Sequence, residues 1–269
     1  MDQEKLVLIC EDQAEGIFTA VYEGWREGAS GREVELRFQP PDDLEFFCTY
    51  RRIETDREKA GKVMRTILMR LGTEVYEDIC LAATAGDGDR GTVIFQVLLK
   101  ALEKGRCRRG IMKALADPDV SRVSKLRGKV WHELHRYYGF LRFRSAGDRG
   151  LLIGDISPEN DILEFLGPHF ADRLPQENWV IYDSRRKKAL FHRKGESCVL
   201  CREVYKKERN PGEVEQWDEY EELWKLFCGS AAIAHRKNEK LQKQLFPLKY
   251  RVDSPARPVR PLGDCGKAQ

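Results

Sequence analysis

The sequence predicts an α+β protein: a helical N-terminal half opening with a short strand–helix–strand, an antiparallel meander in the C-terminal half, and a long C-terminal helix. Three observations carry that prediction. Apolar residues recur at helical spacing through most of residues 55–138, the period falls to two after Gly139, and helical spacing returns from Trp217 to Leu245.

The elements follow in order. Leu6 to Cys10 is a short apolar run, and Val34, Leu36 and Phe38 alternate with Glu33, Glu35 and Arg37 as in a half-buried strand. Thr55 and Glu58 have capping-box spacing ahead of an apolar stripe at Ala60, Val63, Met64, Ile67, Leu68 and Leu71, which Gly72 stops. Helices are expected over 75–83 and around Val93 to Leu102, with the glycine-rich turn 86–91 between them. Asp117-Pro118 supplies an N-cap and a first-turn proline for a helix to about Tyr138, ended by Gly139. Residues 140–145 and 151–156 read as a hairpin, a short helix follows over 159–174, and 179–182, 189–193 and 197–204 read as successive antiparallel strands. Trp217, Tyr220, Trp224, Phe227, Ala231, Ala234, Leu241 and Leu245 then line one face of the long last helix. Residues 1–251 are expected to form a single α+β domain, with two lobes divided near 117–139 as the alternative, and 252–269 a disordered tail.

Composition excludes several classes. With 41% hydrophobic and 34% charged residues, the chain is globular with a heavily ionised surface. Its apolar runs fall far short of the ~18 residues that span a bilayer, and no basic segment followed by an apolar one opens the chain. A cytoplasmic protein with no membrane association is therefore expected, its eight cysteines kept as thiols. Cys198-Val199-Leu200-Cys201 has no second pair nearby, so neither a metal nor a cofactor is expected. The turn at Gly86 lacks the Gly-Lys-Ser/Thr of a phosphate loop and carries two aspartates that repel phosphate.

Charge is unevenly placed. Lys and Arg number 47 against 44 Asp and Glu, yet residues 106–149 hold twelve cations against four carboxylates, a net +8. Arg122, Lys125, Lys129, His132 and Arg136 are spaced three or four apart and share a helix face, a ridge about 21 Å long at 1.5 Å per residue. Arg142 and Arg144 are expected on one face of the next strand, about 6.6 Å apart, where two guanidiniums can hold phosphates. A second basic block, 236–251, sets Arg236, Asn238, Gln242 and Tyr250 among cations, a mixture that can grip phosphates and meet bases. A solvated cationic face paired with the acidic remainder of the chain is the plainer explanation of the same charges. A catalytic reading draws on Asp183, His169 and Glu203, with Asp155 and Lys206 nearby, as in a metal-dependent phosphodiesterase. Turn formation by Asp155 and Asp183 and a core position for His169 are the structural alternatives.

Asp117-Pro118-x-Val120 with its basic helix, Gly139-Phe140-Leu141-Arg142-Phe143, Pro168-His169-Phe170-Ala171-Asp172-Arg173, Trp179 with Asp183, and the spaced set Arg236, Asn238, Leu241, Gln242, Phe246, Pro247 and Tyr250 together carry a resemblance. From about Leu6 to Tyr250 the chain resembles the bacterial radical-SAM-linked DNA metabolism and DNA repair family, whose domain is of unknown function. That resemblance implies DNA as a partner, along with a radical SAM DNA-modification protein and a uracil-DNA glycosylase-like protein, to which some members are fused. It implies no catalytic residues, and the Gly-x-Asp-Pro and His-Pro-Ser signatures of a uracil-DNA glycosylase are absent from this sequence. The expectation is thus a DNA-binding protein that assists a partner enzyme in repair or base modification. An enzyme acting on DNA and a protein-binding adaptor are the alternatives.

Overall fold

The computed structural model describes residues 5–41, 43, 45–102, 110–146 and 150–203. The chain divides into two compact units: one holds residues up to Leu134 together with Glu159–Ile162, the other His135–Pro158 and everything from Leu163 onward.

The first unit is built on a three-stranded parallel sheet. Strand β1 (Lys5–Ile9) lies between β2 (Val34–Arg37) and β3 (Cys48–Arg52) and pairs in parallel with both. Leu6, Val7 and Leu8 are fully buried, which is why β1 is a continuous apolar run while the edge strand β2 alternates. Helix α1 (Ala14–Ala29) connects β1 to β2, and α2 (Arg57–Leu71), α3 (Thr73–Ala83) and α4 (Arg90–Ala101) follow β3. Gly28 lets α1 meet α4 closely, since a Cβ there would lie 2.7 Å from the Phe95 ring. The N-cap of α2 is Asp56, whose carboxylate accepts from the amides of Glu58 and Lys59. The expected cap, Thr55, instead donates its hydroxyl to Glu11 at 2.6 Å. Helix α5 (Pro118–Phe140) starts as expected, with Asp117 Oδ1 accepting from Asp119 and Val120, but runs through Gly139.

The second unit contains a five-stranded sheet in the order β4 (Arg144–Ala146), β5 (Leu151–Ile156), β6 (Asn178–Asp183), β7 (Lys188–His192), β8 (Val199–Cys201). Strands follow chain order, as a meander requires, but the meander expected from the sequence is overturned: β5 and β6 are parallel and the sheet is open and mixed. The reason is the intervening helix α6 (Leu163–Arg173), a crossover that returns the chain to the end of the sheet from which β5 started. The expected opening strand–helix–strand is present as β1, α1 and β2, and the sheet adds an unexpected third strand, β3, which, with only intermediate burial and two exposed arginines, carries no alternation to announce it. Trp179 is fully buried, stacked on His192 at 4.9 Å and ringed by Phe143 and Phe170. The expected long C-terminal helix and the tail 252–269 lie outside the described residues.

Candidate functional site

In the first unit, α5 buries Val120, Val123, Leu126, Val130 and Leu134 and turns Arg122, Lys125, Lys129 and His132 to its outer side. The side that carries cations is met by the glycine-rich turn between α3 and α4. Arg122 makes a two-pronged contact with Asp89, Nε to Oδ2 and Nη2 to Oδ1 both at 2.7 Å, and reaches Asp87 at 3.2 Å. Lys129 donates to Asp87 at 2.8 Å. Lys125 and His132 are exposed and have no partner among the described residues. Burial works to raise the Asp87 carboxyl, but the bonds and charges of Lys129 and Arg122 outweigh it and hold it below its ordinary range. Asp89 is likewise held low, chiefly by its hydrogen bonds from Arg122, and those bonds raise Arg122 in turn.

The turn is fixed from beneath. The Gly86 amide donates to Asn160 Oδ1 at 2.9 Å, and a Cβ on Gly86 would lie 2.8 Å from the Glu159 carbonyl, so only glycine allows this approach. Buried Glu133 on α5 accepts from the Glu159 amide, the Asn160 amide and the Asn160 side chain at 2.9, 2.9 and 2.6 Å, so the carboxylate is well solvated by protein. Arg90, its side chain only 4% exposed, donates Nε to Ala83 O and Nη1 to Asp87 O, lies over the Phe38 ring at 3.9 Å and pairs with Asp12, which is 71% exposed. Arg122, Lys129, Asp87 and Asp89 therefore form an electrically balanced patch on a rigid support, with Lys125 as added positive charge.

The second unit holds the remaining candidates separately. Arg136 is exposed. Arg142 precedes β4 instead of lying on it, and its Nη1 donates to the Gly139 and Leu141 carbonyls, so the expected same-face pair with Arg144 on one strand is not formed. Arg144 is on β4 and pairs with Asp155. Asp183 is fully buried at the end of β6, where Oδ1 accepts from the Arg185 and Arg186 amides and Oδ2 from Arg186 Nη1; it shapes the β6–β7 turn. Burial pushes its carboxyl above the ordinary range against those bonds. His169 stacks on Tyr138 at 4.1 Å, its Nε2 buried without a hydrogen-bond partner among the described residues, and burial and then the Arg173 charge lower it. Glu203 is exposed, at φ 57°. Asp183, His169 and Glu203 share no contact among the described residues, where no group of three His, Cys, Asp or Glu could hold a metal ion. Lys206, Arg236, Asn238, Gln242 and Tyr250 lie outside the described residues.

Sequence reasoning missed Arg90, Glu133 and the partnership of the glycine turn with α5. Two aspartates flanking a glycine, Asp87 and Asp89, were the available signal, read as repelling phosphate and not as holding cations. A search of curated proteins finds no match to the chain. A family model described as a domain of unknown function, DUF4130, matches residues 88–255, from the glycine-rich turn through α5 and the whole mixed sheet. That match spans well over half of the chain, which therefore belongs to the DUF4130 family.

Proposed function

We propose that this chain binds DNA through the outer side of α5 in the first unit and, as the sequence resemblance implies, serves a radical SAM DNA-modification protein or a uracil-DNA glycosylase-like partner in DNA metabolism. The observation that carries the reading is Lys125, exposed and unpaired among the described residues, between Arg122 and Lys129, whose own carboxylate partners are solvent-accessible. Exposed ion pairs contribute only about 0–1 kcal/mol each, so a phosphate can replace a carboxylate at little cost. The guanidinium of Arg122, already engaged by two oxygens of one carboxylate, offers the same fork to a phosphate. Asp87 and Asp89 still compete with phosphate for Arg122 and Lys129, so Lys125, with no carboxylate partner among the described residues, is the leading contact.

Fluorescence-anisotropy titration at low salt against single-stranded, duplex and uracil-containing oligonucleotides tests the reading. Saturable binding that Lys125→Glu weakens is expected. Absence of binding to all three, with an intact circular dichroism spectrum, overturns it.

A further inference from the structure

The two edges of the parallel sheet in the first unit are treated differently. In a parallel ladder alternate residues of an edge strand turn both backbone groups toward the neighbour and the rest turn theirs outward. On β2 the Glu33 and Arg37 carbonyls bond β1, so Val34 and Leu36 face out. Both are covered by α4: the Leu36 amide donates to the Thr92 hydroxyl at 2.9 Å, that hydroxyl donates to the Leu36 carbonyl at 3.1 Å, and Gln96 donates to the Val34 carbonyl at 3.3 Å. On β3 the Phe47 carbonyl and the Ile53 amide bond β1, so Cys48, Tyr50 and Arg52 face out. Their outward backbone groups have no partner among the described residues.

Two further features surround this open edge. Phe46 and Phe47, which lead into β3, are 91% and 82% exposed, and Phe47 is held at φ 59°, a left-handed conformation that a bulky residue rarely adopts. The segment is tied in place by the Glu45 amide donating to the Tyr50 hydroxyl at 3.0 Å. Arg51 and Arg52, at the far end of β3, are exposed and unpaired among the described residues. Successive strand residues point to opposite faces, so the sheet edge carries one cation on each.

We infer that the β3 edge receives an extended acidic segment of a partner protein as a fourth strand, its neighbouring carboxylates meeting Arg51 and Arg52 and an apolar side chain meeting Phe46 and Phe47. An extended peptide satisfies outward amides and carbonyls alike. A nucleic acid does not, because its phosphates would accept from the amides but face the Cys48, Tyr50 and Arg52 carbonyls, oxygen against oxygen. The site is separate from α5, so the two readings fail independently.

The probe is a short synthetic peptide, acetyl-Thr-Val-Asp-Glu-Val-Ile-Thr-amide, with a version carrying Lys-Lys in place of Asp-Glu, titrated into the full chain and followed by amide hydrogen exchange. Expected are saturable binding roughly tenfold tighter for the acidic peptide, new protection confined to the Cys48, Tyr50 and Arg52 amides, and a reversed preference in Arg51→Glu/Arg52→Glu. Lys125→Glu leaves all three results unchanged. Binding of neither peptide, equal binding of both, protection elsewhere, or an edge protected only by an oligonucleotide or by concentration-dependent self-association in sedimentation overturns the inference.

Discussion

Neutralising the acidic turn should strengthen DNA binding, an unusual direction for a double substitution. Asp87→Asn with Asp89→Asn removes the two carboxylates that hold Arg122 and Lys129 at 2.7 and 2.8 Å, changing the patch from balanced to a net +2. All four side chains are between 23% and 48% exposed, so the pairs lost contribute about 1 kcal/mol of stability together once solvent screening is counted. Two released cations add roughly two phosphate contacts, and each steepens the fall of log K with log salt by about 0.9. Between about 50 and 200 mM salt the ratio of variant to wild-type affinity should then shrink about twelvefold. Anisotropy titrations of both proteins across that range measure the ratio directly. A variant that binds no better than wild type at low salt, or shows the same salt slope, refutes the claim that these carboxylates occupy phosphate positions.

Other expectations concern the support of the site. Glu133→Ala orphans three donors, two of them on buried Asn160, and should cost about 3–5 kcal/mol in urea unfolding, while Glu133→Gln, keeping one acceptor oxygen, costs less. Asp183 holds its proton more tightly in the fold than in the unfolded chain, so stability falls as pH rises from about 4 through its raised folded value. Thermal melts of Asp183→Asn, which keeps the turn acceptor, should lose that pH dependence, whereas Asp183→Ala should lower stability at every pH by about 1–3 kcal/mol. Buried Cys10, its thiol pushed up to about 12 chiefly by burial, should resist alkylation at pH ~8 in the folded chain, and labelling there as fast as in urea would contradict its burial.

Much of the helical structure was legible because α2, α3, α4 and α5 each carry an apolar stripe with punctuation at their ends: Gly72, Asp117 and Pro118 do locally what their chemistry dictates. What misled was connectivity. A strand reads alike in a parallel or an antiparallel pair, and only the length of the segment between β5 and β6, enough for a crossover helix, could have separated a mixed sheet from a meander. Strand β3 was invisible because its outward edge and exposed arginines give no alternation to read. The cationic side of α5 was legible in its 3-4-3 spacing, since helical geometry alone places Arg122, Lys125 and Lys129 together. Their partners were not, because Asp87 and Asp89 arrive from more than thirty residues away through a turn whose position rests on buried Glu133 and Asn160.

The salt dependence of oligonucleotide affinity in wild type and in Lys125→Ala tests the central claim most directly, since Lys125 has no ion pair among the described residues to give up when removed. Log K should fall linearly with log salt for both proteins, with a slope shallower by about 0.9 in the variant. Identical slopes, or an affinity indifferent to salt, would contradict a phosphate contact at Lys125 and with it the assignment of α5 to DNA.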